Sequence, residues 1–161
     1  MHQLILYATP TGPLADACAA YFGAVEPTTA QTYPPHVTLT GFFHRRDAAG
    51  VIEAAATIDE VPPGVVEVRR LSCTDDWVGL ETGSTWLEAA TAAFADRTPP
   101  PGVGEDEIRR KDWLHLSLAY GVTDLGSHAE RARRAIDPAL AAGWEVALWE
   151  RSTGDRWDRL T

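Results

Sequence analysis

The sequence predicts a mixed α+β domain in which antiparallel strands are accompanied by helices. Short β-branched or apolar runs alternate along the chain with alanine-rich runs of helical length. Two pairs of strand-like runs flank short polar turns at 74–76 and 153–155, which is typical of antiparallel hairpins. The order of elements repeats at an offset of almost half the chain, so we expect two similar lobes within one domain, about 1–82 and 83–161.

The first half is predicted to contain an N-terminal strand, two helices, a central strand and a hairpin. In chain order these are a strand over 3–8, a helix over 11–25, a proline-rich loop over 26–35 that includes Pro27, a strand over 36–42, a helix over 48–58, and hairpin strands over 65–73 and 77–82. Pro13 suits the first turn of a helix, where its missing N–H has no helical partner. Asp47 is placed to cap the second helix.

The second half repeats the order helix, strand, helix, hairpin. Its elements are a helix over 85–97, a loop over 99–112 rich in proline, glycine and charge, a strand over 114–120, a helix over 128–137, and hairpin strands over 144–152 and 156–161. Ser84 and Ser127 are predicted to cap the two helices. The spacing of similar residues supports the repeat: His36 precedes His115 by 79 positions, and Trp77 precedes Trp157 by 80.

Composition is that of an ordinary soluble domain. The 161 residues are 45% hydrophobic and 23% charged, and no run approaches the roughly 20 apolar residues of a membrane span. The N-terminus lacks the pattern of a signal peptide, so we expect a cytoplasmic protein with no membrane partner, and a monomer. Cys18 and Cys73 have no metal-ligand spacing and are predicted to be buried free thiols.

The charge of the chain restricts its partners. The formal net charge is −9, and Lys111 is the single lysine. A protein that binds a long phosphate backbone usually has a basic surface, so no long nucleic acid is expected. A single phosphate group is compatible with this charge, because one local cluster of cations and N–H donors can hold it.

A histidine followed two residues later by a hydroxyl occurs on two predicted strands. Side chains alternate between the faces of a strand, so His36 and Thr38 share one face, and His115 and Ser117 share one face of the other strand. If an approximate two-fold axis relates the lobes, the two polar faces can meet across a cleft.

Two imidazoles and two hydroxyls suit the in-line cleavage of a phosphodiester. One histidine can act as a base on the attacking group, and the other as an acid on the leaving oxygen. The hydroxyls can donate hydrogen bonds to the non-bridging oxygens, where negative charge accumulates. Because no Asp, Glu and His set has metal-ligand spacing, neither a metal nor a cofactor is expected.

These motifs resemble a known family. PHVTL at 35–39 and HLSLAY at 115–120 resemble the two signatures of the two-histidine (2H) phosphoesterase superfamily, and look closest to its small cyclic nucleotide phosphodiesterases and 2′,5′-RNA ligase-like proteins. The resemblance implies a bilobal, pseudo-duplicated α+β fold, with two antiparallel sheets and outer helices around a central groove.

The resemblance also implies an activity and the residues for it. The reaction is the hydrolysis of a 2′,3′-cyclic nucleotide, or of the cyclic phosphate of ADP-ribose, to a phosphomonoester. His36 and His115 would be the catalytic acid and base, in an order that the sequence leaves open. Thr38 and Ser117 would bind the phosphate.

Four further residues are candidates for substrate binding. Tyr33 precedes the first motif, and Tyr120 ends the second, so either ring can stack on a base or ribose. Arg109 and Lys111 lie in the long loop before the second motif strand and can bring a cation to the phosphate.

The other aromatic residues near the motifs are predicted to pack in the core. Phe42 and Phe43 follow the first motif directly, and Trp113 precedes the second. The remaining tryptophans lie at strand or helix positions that suit packing.

Other functions are compatible with the same residues. RNA end-processing or 2′,5′-RNA ligation can use the same groove. A non-catalytic module that binds a phosphorylated ligand needs the same hydroxyls and imidazoles without turnover. A metal protein that uses the histidines is a further alternative.

Overall fold

The β-strands form one antiparallel sheet. A computed structural model describes residues 1–25, 29–152 and 156–161. Within these ranges the sheet has eight strands: β1 (His2–Thr11), β2 (Val37–Thr38), β3 (Phe43–Arg45), β4 (Glu67–Cys73), β5 (Trp77–Gly83), β6 (His115–Tyr120), β7 (Gly143–Arg151) and β8 (Trp157–Arg159). Together with the helices this confirms the predicted mixed α+β class.

Four α-helices accompany the sheet in the described part of the chain. They are α1 (Pro13–Ala24), α2 (Ala49–Ala56), α3 (Thr85–Arg97) and α4 (Leu125–Ala135), with short 3₁₀ turns at Thr29–Thr32 and Thr57–Glu60. Pro13 begins α1, and the Ser84 hydroxyl caps α3 by accepting a hydrogen bond from the Leu87 N–H at 3.2 Å, as the sequence predicted. None of these helices combines the length and apolar character needed to cross a membrane.

The predicted cap of α4 is wrong. This helix begins at Leu125, three residues earlier than expected, and the Asp124 carboxylate accepts the Ser127 N–H at 3.1 Å. A carboxylate also suits the positive end of the helix dipole. The cap of α2 is similar to the prediction, because Asp47 accepts the Ala49 N–H at 2.9 Å.

The strand order joins the two halves of the chain. Along the sheet the order is β4-β5-β6-β2-β1-β7-β8, and β3 also pairs with β1. The first-half hairpin β4–β5 therefore lies beside β6 of the second half, while the closing hairpin β7–β8 lies beside β1.

This topology does not confirm two sheets or two duplicated lobes. β2 and β6 pair directly through Val37 and Leu116, so the described strands are continuous across the middle of the sheet. The expected boundary near residue 82 separates β5 from its partner β6, and therefore cuts through hydrogen-bonded strands.

The first motif strand is shorter than predicted. Only Val37 and Thr38 form the regular β2, and a separate strand, β3, follows at residue 43. Between them the Thr40 hydroxyl accepts the Leu6 N–H at 3.0 Å, which replaces a backbone ladder bond. A side chain that competes for a backbone donor interrupts a ladder.

One face of the sheet carries the core. Val37 and Leu39 on one motif segment, and Leu116 and Leu118 on the other, are all 0% exposed. The neighbouring His36, Thr38, His115 and Ser117 are only partly buried on the opposite face. The alternation predicted for both motifs is therefore present.

The two cysteines differ in their exposure. Cys18 is a buried free thiol as predicted, whereas Cys73 is exposed because it ends edge strand β4 at a turn. That turn, 74–76, is closed by the Thr74 N–H, which donates to the Trp77 carbonyl at 2.8 Å. The predicted turn at 153–155, and residues 26–28 of the proline-rich loop with Pro27, lie outside the described residues.

Candidate active site

The four motif side chains line one cavity of about 430 Å³ on the face of the sheet opposite the core. The cavity lies over the centre of the sheet, where β1, β2, β5 and β6 are neighbours. Its described lining residues are Ile5, Tyr7, Ala30, Tyr33, His36, Thr38, Thr40, Gly41, Phe42, Trp77, Lys111, His115, Ser117 and Tyr120.

The pairing of β2 with β6 places the motifs symmetrically. Val37 pairs with Leu116 in an antiparallel register, so one step to either side sets His36 opposite Ser117 and Thr38 opposite His115. Each imidazole therefore lies across from the hydroxyl of the other motif. The two histidines are diagonal neighbours, and diagonal positions of an antiparallel pair have Cα atoms about 7–8 Å apart. Both imidazoles line the same cavity.

Both imidazoles are held in the same tautomer. His36 Nδ1 lies 2.7 Å from the Pro34 carbonyl oxygen, and His115 Nδ1 lies 3.1 Å from that of Trp113. A carbonyl can only accept, so each Nδ1 carries the hydrogen and each neutral Nε2 keeps a lone pair. In both motifs the accepting carbonyl belongs to the residue two positions before the histidine.

An aromatic ring packs on each imidazole. Tyr7 lies on His36 with 3.9 Å between ring centroids, and Trp113 lies on His115 at 3.9 Å. The interplanar angles are 31° and 28°. A stacked ring and a hydrogen bond at Nδ1 together limit rotation of each imidazole.

The environment favours the neutral form of both histidines. Burial lowers the pKa of His36 to about 4, against the hydrogen bond to Pro34, and nearby His115 lowers it further. Burial also lowers the pKa of His115, with a further lowering from the Lys111 ammonium. A bound phosphate anion acts in the opposite direction, because a negative charge stabilises imidazolium.

The structure brings three of the four further candidates to the cavity. Tyr33, Tyr120 and Lys111 line it, whereas Arg109 is absent from the described lining residues. The backbone carbonyl of Arg109 accepts the Gly41 N–H at 2.8 Å. Arg109 therefore fixes the course of the loop beside the cavity through its main chain.

The loop that carries Lys111 is bound to the segment after the first motif. The Asp106 carboxylate accepts the His44 N–H at 3.0 Å and lies 2.6 Å from His44 Nδ1. The Glu105 carboxylate accepts the Arg46 N–H at 2.7 Å. The Lys111 N–H donates to the Leu39 carbonyl at 2.9 Å. These contacts, which we call the loop clasp, hold Lys111 at the cavity.

Several aromatic residues of the site were not predicted from sequence. Phe42, expected in the core, is 47% exposed, lines the cavity and stacks on Trp157 with 5.2 Å between centroids. Trp113, also expected in the core, is 48% exposed. Tyr7 lines the cavity from β1, where alternation with buried Leu6 was the available signal. That signal was hidden because residues on both faces of β1 are apolar.

Among the described residues, no group of three or more His, Cys, Asp or Glu side chains is placed to hold a metal ion. No known protein-family model matches the chain, and no match was found among curated proteins.

Proposed function

We propose that this protein is a metal-independent cyclic phosphodiesterase of the two-histidine type. Its substrate is a small cyclic phosphate, either a 2′,3′-cyclic nucleotide or the cyclic phosphate of ADP-ribose, and its product is a phosphomonoester. The proposal depends chiefly on one observation: two imidazoles with Nδ1 bound to a carbonyl, and with Nε2 left as the basic atom, line a single cavity with two hydroxyls.

The reaction uses one histidine on each side of phosphorus. The neutral imidazole takes a proton from water as the water oxygen forms a bond to phosphorus. The bond from phosphorus to one ribose oxygen breaks, and the other histidine, as imidazolium, gives that oxygen a proton. Thr38 and Ser117 donate hydrogen bonds to the non-bridging oxygens, on which charge increases in the transition state.

An approximate two-fold relation between the motifs supports this division of labour. The Nδ1 contact to the carbonyl two residues earlier and the stacked aromatic ring are present at both His36 and His115. We place the pseudo-duplication in the β2–β6 pair and its neighbours, rather than in the two halves of the chain. In-line displacement needs equivalent groups on opposite sides of one atom, and such a pair supplies them.

The cavity suits a nucleotide better than a bare phosphate. Its aromatic lining includes Tyr33, Phe42 and Tyr120, and rings of this kind stack on bases. Lys111 is the single cation among the described lining residues, which matches one phosphate group. The net charge of −9 disfavours a long polyanion.

Substitution of the two histidines tests the proposal. We expect the protein to open 2′,3′-cyclic nucleotides, with the products identified by phosphorus NMR. His36→Ala and His115→Ala should each lower kcat by about 10²–10⁴-fold, the usual contribution of a general acid or base. His2→Ala is the matched control, because His2 pairs with Glu150 away from the cavity. Near-full turnover by either motif variant would overturn the assignment.

Two further measurements separate this function from its alternatives. Hydrolysis in ¹⁸O-labelled water should place label in the product phosphate, whereas a binding module would give no labelled product from any cyclic phosphate. Activity should survive dialysis against a chelator, and its loss would favour a metal protein. RNA end-processing predicts binding that weakens steeply with salt, unlike that of a mononucleotide.

A further inference from the structure

We propose that Trp77 is a positioning residue for the Ser117 hydroxyl, and that it makes this hydroxyl a directed donor to the phosphate. This inference depends on the proposed function for the identity of the ligand. Trp77 Nε1 lies 2.9 Å from Ser117 Oγ, and this contact is not part of the histidine–hydroxyl motif. Both residues line the cavity.

The backbone of β5 is shaped for this contact. Ser117 pairs across the sheet with Gly79, two residues after Trp77, and the register shifts between Val78 and Gly79. A Cβ atom at position 79 would lie 2.3 Å from the Leu116 carbonyl oxygen of β6 and 2.3 Å from the ring atom Cζ2 of Trp77. Glycine at this position therefore serves both the close approach of the β6 backbone and the placement of the indole over its own strand, where it reaches Ser117.

The chemistry of the two groups determines the direction of the hydrogen bonds. An indole N–H can only donate, so Ser117 Oγ must accept from Trp77. The hydroxyl has one hydrogen of its own, and this remains available for a second partner. Because the indole N–H occupies one lone pair of the hydroxyl oxygen, the hydroxyl is oriented before a ligand binds. In the proposed reaction, a phosphate oxygen in the cavity accepts the hydrogen bond from this hydroxyl.

Trp77 also contacts the catalytic histidine of the same motif. Its ring meets His115 edge-on, with 5.1 Å between centroids and an interplanar angle of 87°. It meets Trp113, the ring stacked on His115, at 4.9 Å. One indole thus adjoins both functional side chains of β6, which explains why a large aromatic residue occupies this position beside a glycine.

The test removes the indole N–H and keeps an aromatic ring. We expect Trp77→Phe to lower kcat for a 2′,3′-cyclic nucleotide by about tenfold, the usual effect of one lost hydrogen bond, with a smaller change in KM. The kcat effect should exceed the KM effect because charge on the phosphate oxygens increases in the transition state. Ser117→Ala should lower kcat by about 10²–10³-fold, as does loss of a donor to an oxyanion.

A double substitution separates positioning from packing. In the Ser117→Ala background, Trp77→Phe should have almost no further effect on kcat, because the hydroxyl it orients is gone. Multiplicative effects would overturn the proposal and indicate a packing role only. Trp86→Phe is the matched control, since the buried Trp86 N–H has no hydrogen-bond partner among the described residues and lies at a different cavity.

A readout without substrate keeps this inference distinct from the proposed function. In ¹H–¹⁵N NMR spectra, Ser117→Ala should shift the indole N–H signal of Trp77 and leave that of Trp86 in place. If the wild type hydrolyses no cyclic phosphate, the proposed function fails while the hydrogen bond is still tested. An unshifted Trp77 signal in Ser117→Ala would overturn the positioning role even in an active enzyme.

Discussion

At the scale of single residues, burial gives the two histidines their chemical character. Both have a lowered pKa, that of His36 to about 4, so the free protein holds two neutral imidazoles near pH 7. An acid–base pair needs one protonated member, and the two rings titrate as a coupled pair. The free protein therefore holds one protonated and one neutral histidine only in a pH range between two apparent pKa values, both of which are below the usual 6.5.

This predicts an acid-shifted pH profile. The value of kcat/KM, which reports the free enzyme, should follow a bell-shaped curve with its maximum below pH 6.5. Its acidic limb should lie near pH 4, where His36 gains a proton. Initial rates at low substrate concentration between pH 3.5 and 8.5 measure this. A maximum above pH 7 would contradict the proposed roles in the free protein.

Substitution of two adjacent phenylalanines should change two different properties, the KM at Phe42 and the free energy of unfolding at Phe43. Phe42 is 47% exposed at the cavity and Phe43 is 0% exposed in the core. Phe42→Ala should raise KM for a cyclic nucleotide by about tenfold, because base stacking on an aromatic ring is worth about 1–3 kcal/mol. Stability should change little. Phe43→Ala should lower the free energy of unfolding by about 3–5 kcal/mol.

A substrate without a base is the control for Phe42. The KM of a ribose cyclic phosphate should be the same for the wild type and Phe42→Ala, because no ring is present to stack. An equal rise in KM for both substrates would mean that Phe42 acts on the phosphate end of the cavity instead.

The sequence was informative about residues wherever a short-range rule applies. Period-two alternation correctly separated His36 and Thr38 from Val37 and Leu39, and did the same at the second motif. Among the aromatic residues near the motifs, Phe43 is buried as predicted, but burial was wrongly expected for Phe42 and Trp113, because it depends on which element covers the side chain. Phe42 and Trp113 follow or precede apolar strands and resemble core residues, yet each is about half exposed at the site.

At the scale of elements, the loop clasp determines where the lysine lies. The loop before β6 was expected to be long and without regular structure, and it carries Lys111 to the cavity. Its course follows the segment between β2 and β3 through an isolated bridge of Thr40 with Arg110. Arg45, which is 4% exposed, donates to the carbonyls of His44 and Asp106 at 2.9 and 2.5 Å.

Weakening the loop clasp should increase the local opening of the backbone around Lys111. Asp106→Asn removes the charge that faces the His44 ring, so the backbone N–H of Lys111 should exchange with solvent severalfold faster. Hydrogen-exchange mass spectrometry of the 102–111 segment measures this. Asp112→Asn, an exposed change in the same loop, is the control. Equal exchange in the wild type and Asp106→Asn would show that the clasp depends on its backbone bonds alone.

Element boundaries were predictable where one local signal decides them. Ser84 stands alone before an alanine-rich run and caps α3 as expected. Before α4, Asp124 and Ser127 are both good caps, and the choice of Asp124 depends on Leu125, which is buried in the core. The early end of β2 follows from Thr40 meeting Leu6, a tertiary contact without a local sequence signal.

At the scale of the whole molecule, the lowered histidine pKa values make the free energy of unfolding depend on pH. His36 has a pKa of about 4 when folded and about 6.5 when unfolded. As the pH falls from 6.5 towards 4, the unfolded chain gains a proton that the folded chain does not, so stability is lost. At about 1.4 kcal/mol for each pH unit, the loss from His36 approaches 3 kcal/mol.

His36→Gln should remove that part of the pH dependence. Urea unfolding at pH 7.5 and pH 4.5 should show a smaller loss of stability in the variant than in the wild type, by up to about 3 kcal/mol. Carboxylates contribute to both proteins and cancel in the difference, whereas the coupling of His36 to His115 is part of what the substitution removes. Equal losses would mean that His36 is as accessible to protons in the folded protein as in the unfolded chain.

The global arrangement was the least predictable level. The offset of about 80 residues predicted that the two motif faces meet across a cleft between lobes, whereas the two motif strands are hydrogen-bonded neighbours in one sheet through Val37 and Leu116. It also suggested that each hairpin stays with its own half of the chain. Nothing in the local pattern indicates that β4–β5 joins β6, or that β7 joins β1, because partner choice is decided by the packing of complete faces.

Strand β7 is synthesised long after β1, its partner in the sheet, and this delay has a consequence during translation. Tyr7 and Ala147 are paired residues of β1 and β7, 140 positions apart. A nascent chain therefore carries β1 for most of its synthesis with one backbone edge unsatisfied, and such an edge recruits foreign strands. Nascent chains stalled before residue 143 should accordingly expose this edge of β1 and depend on chaperones to protect it.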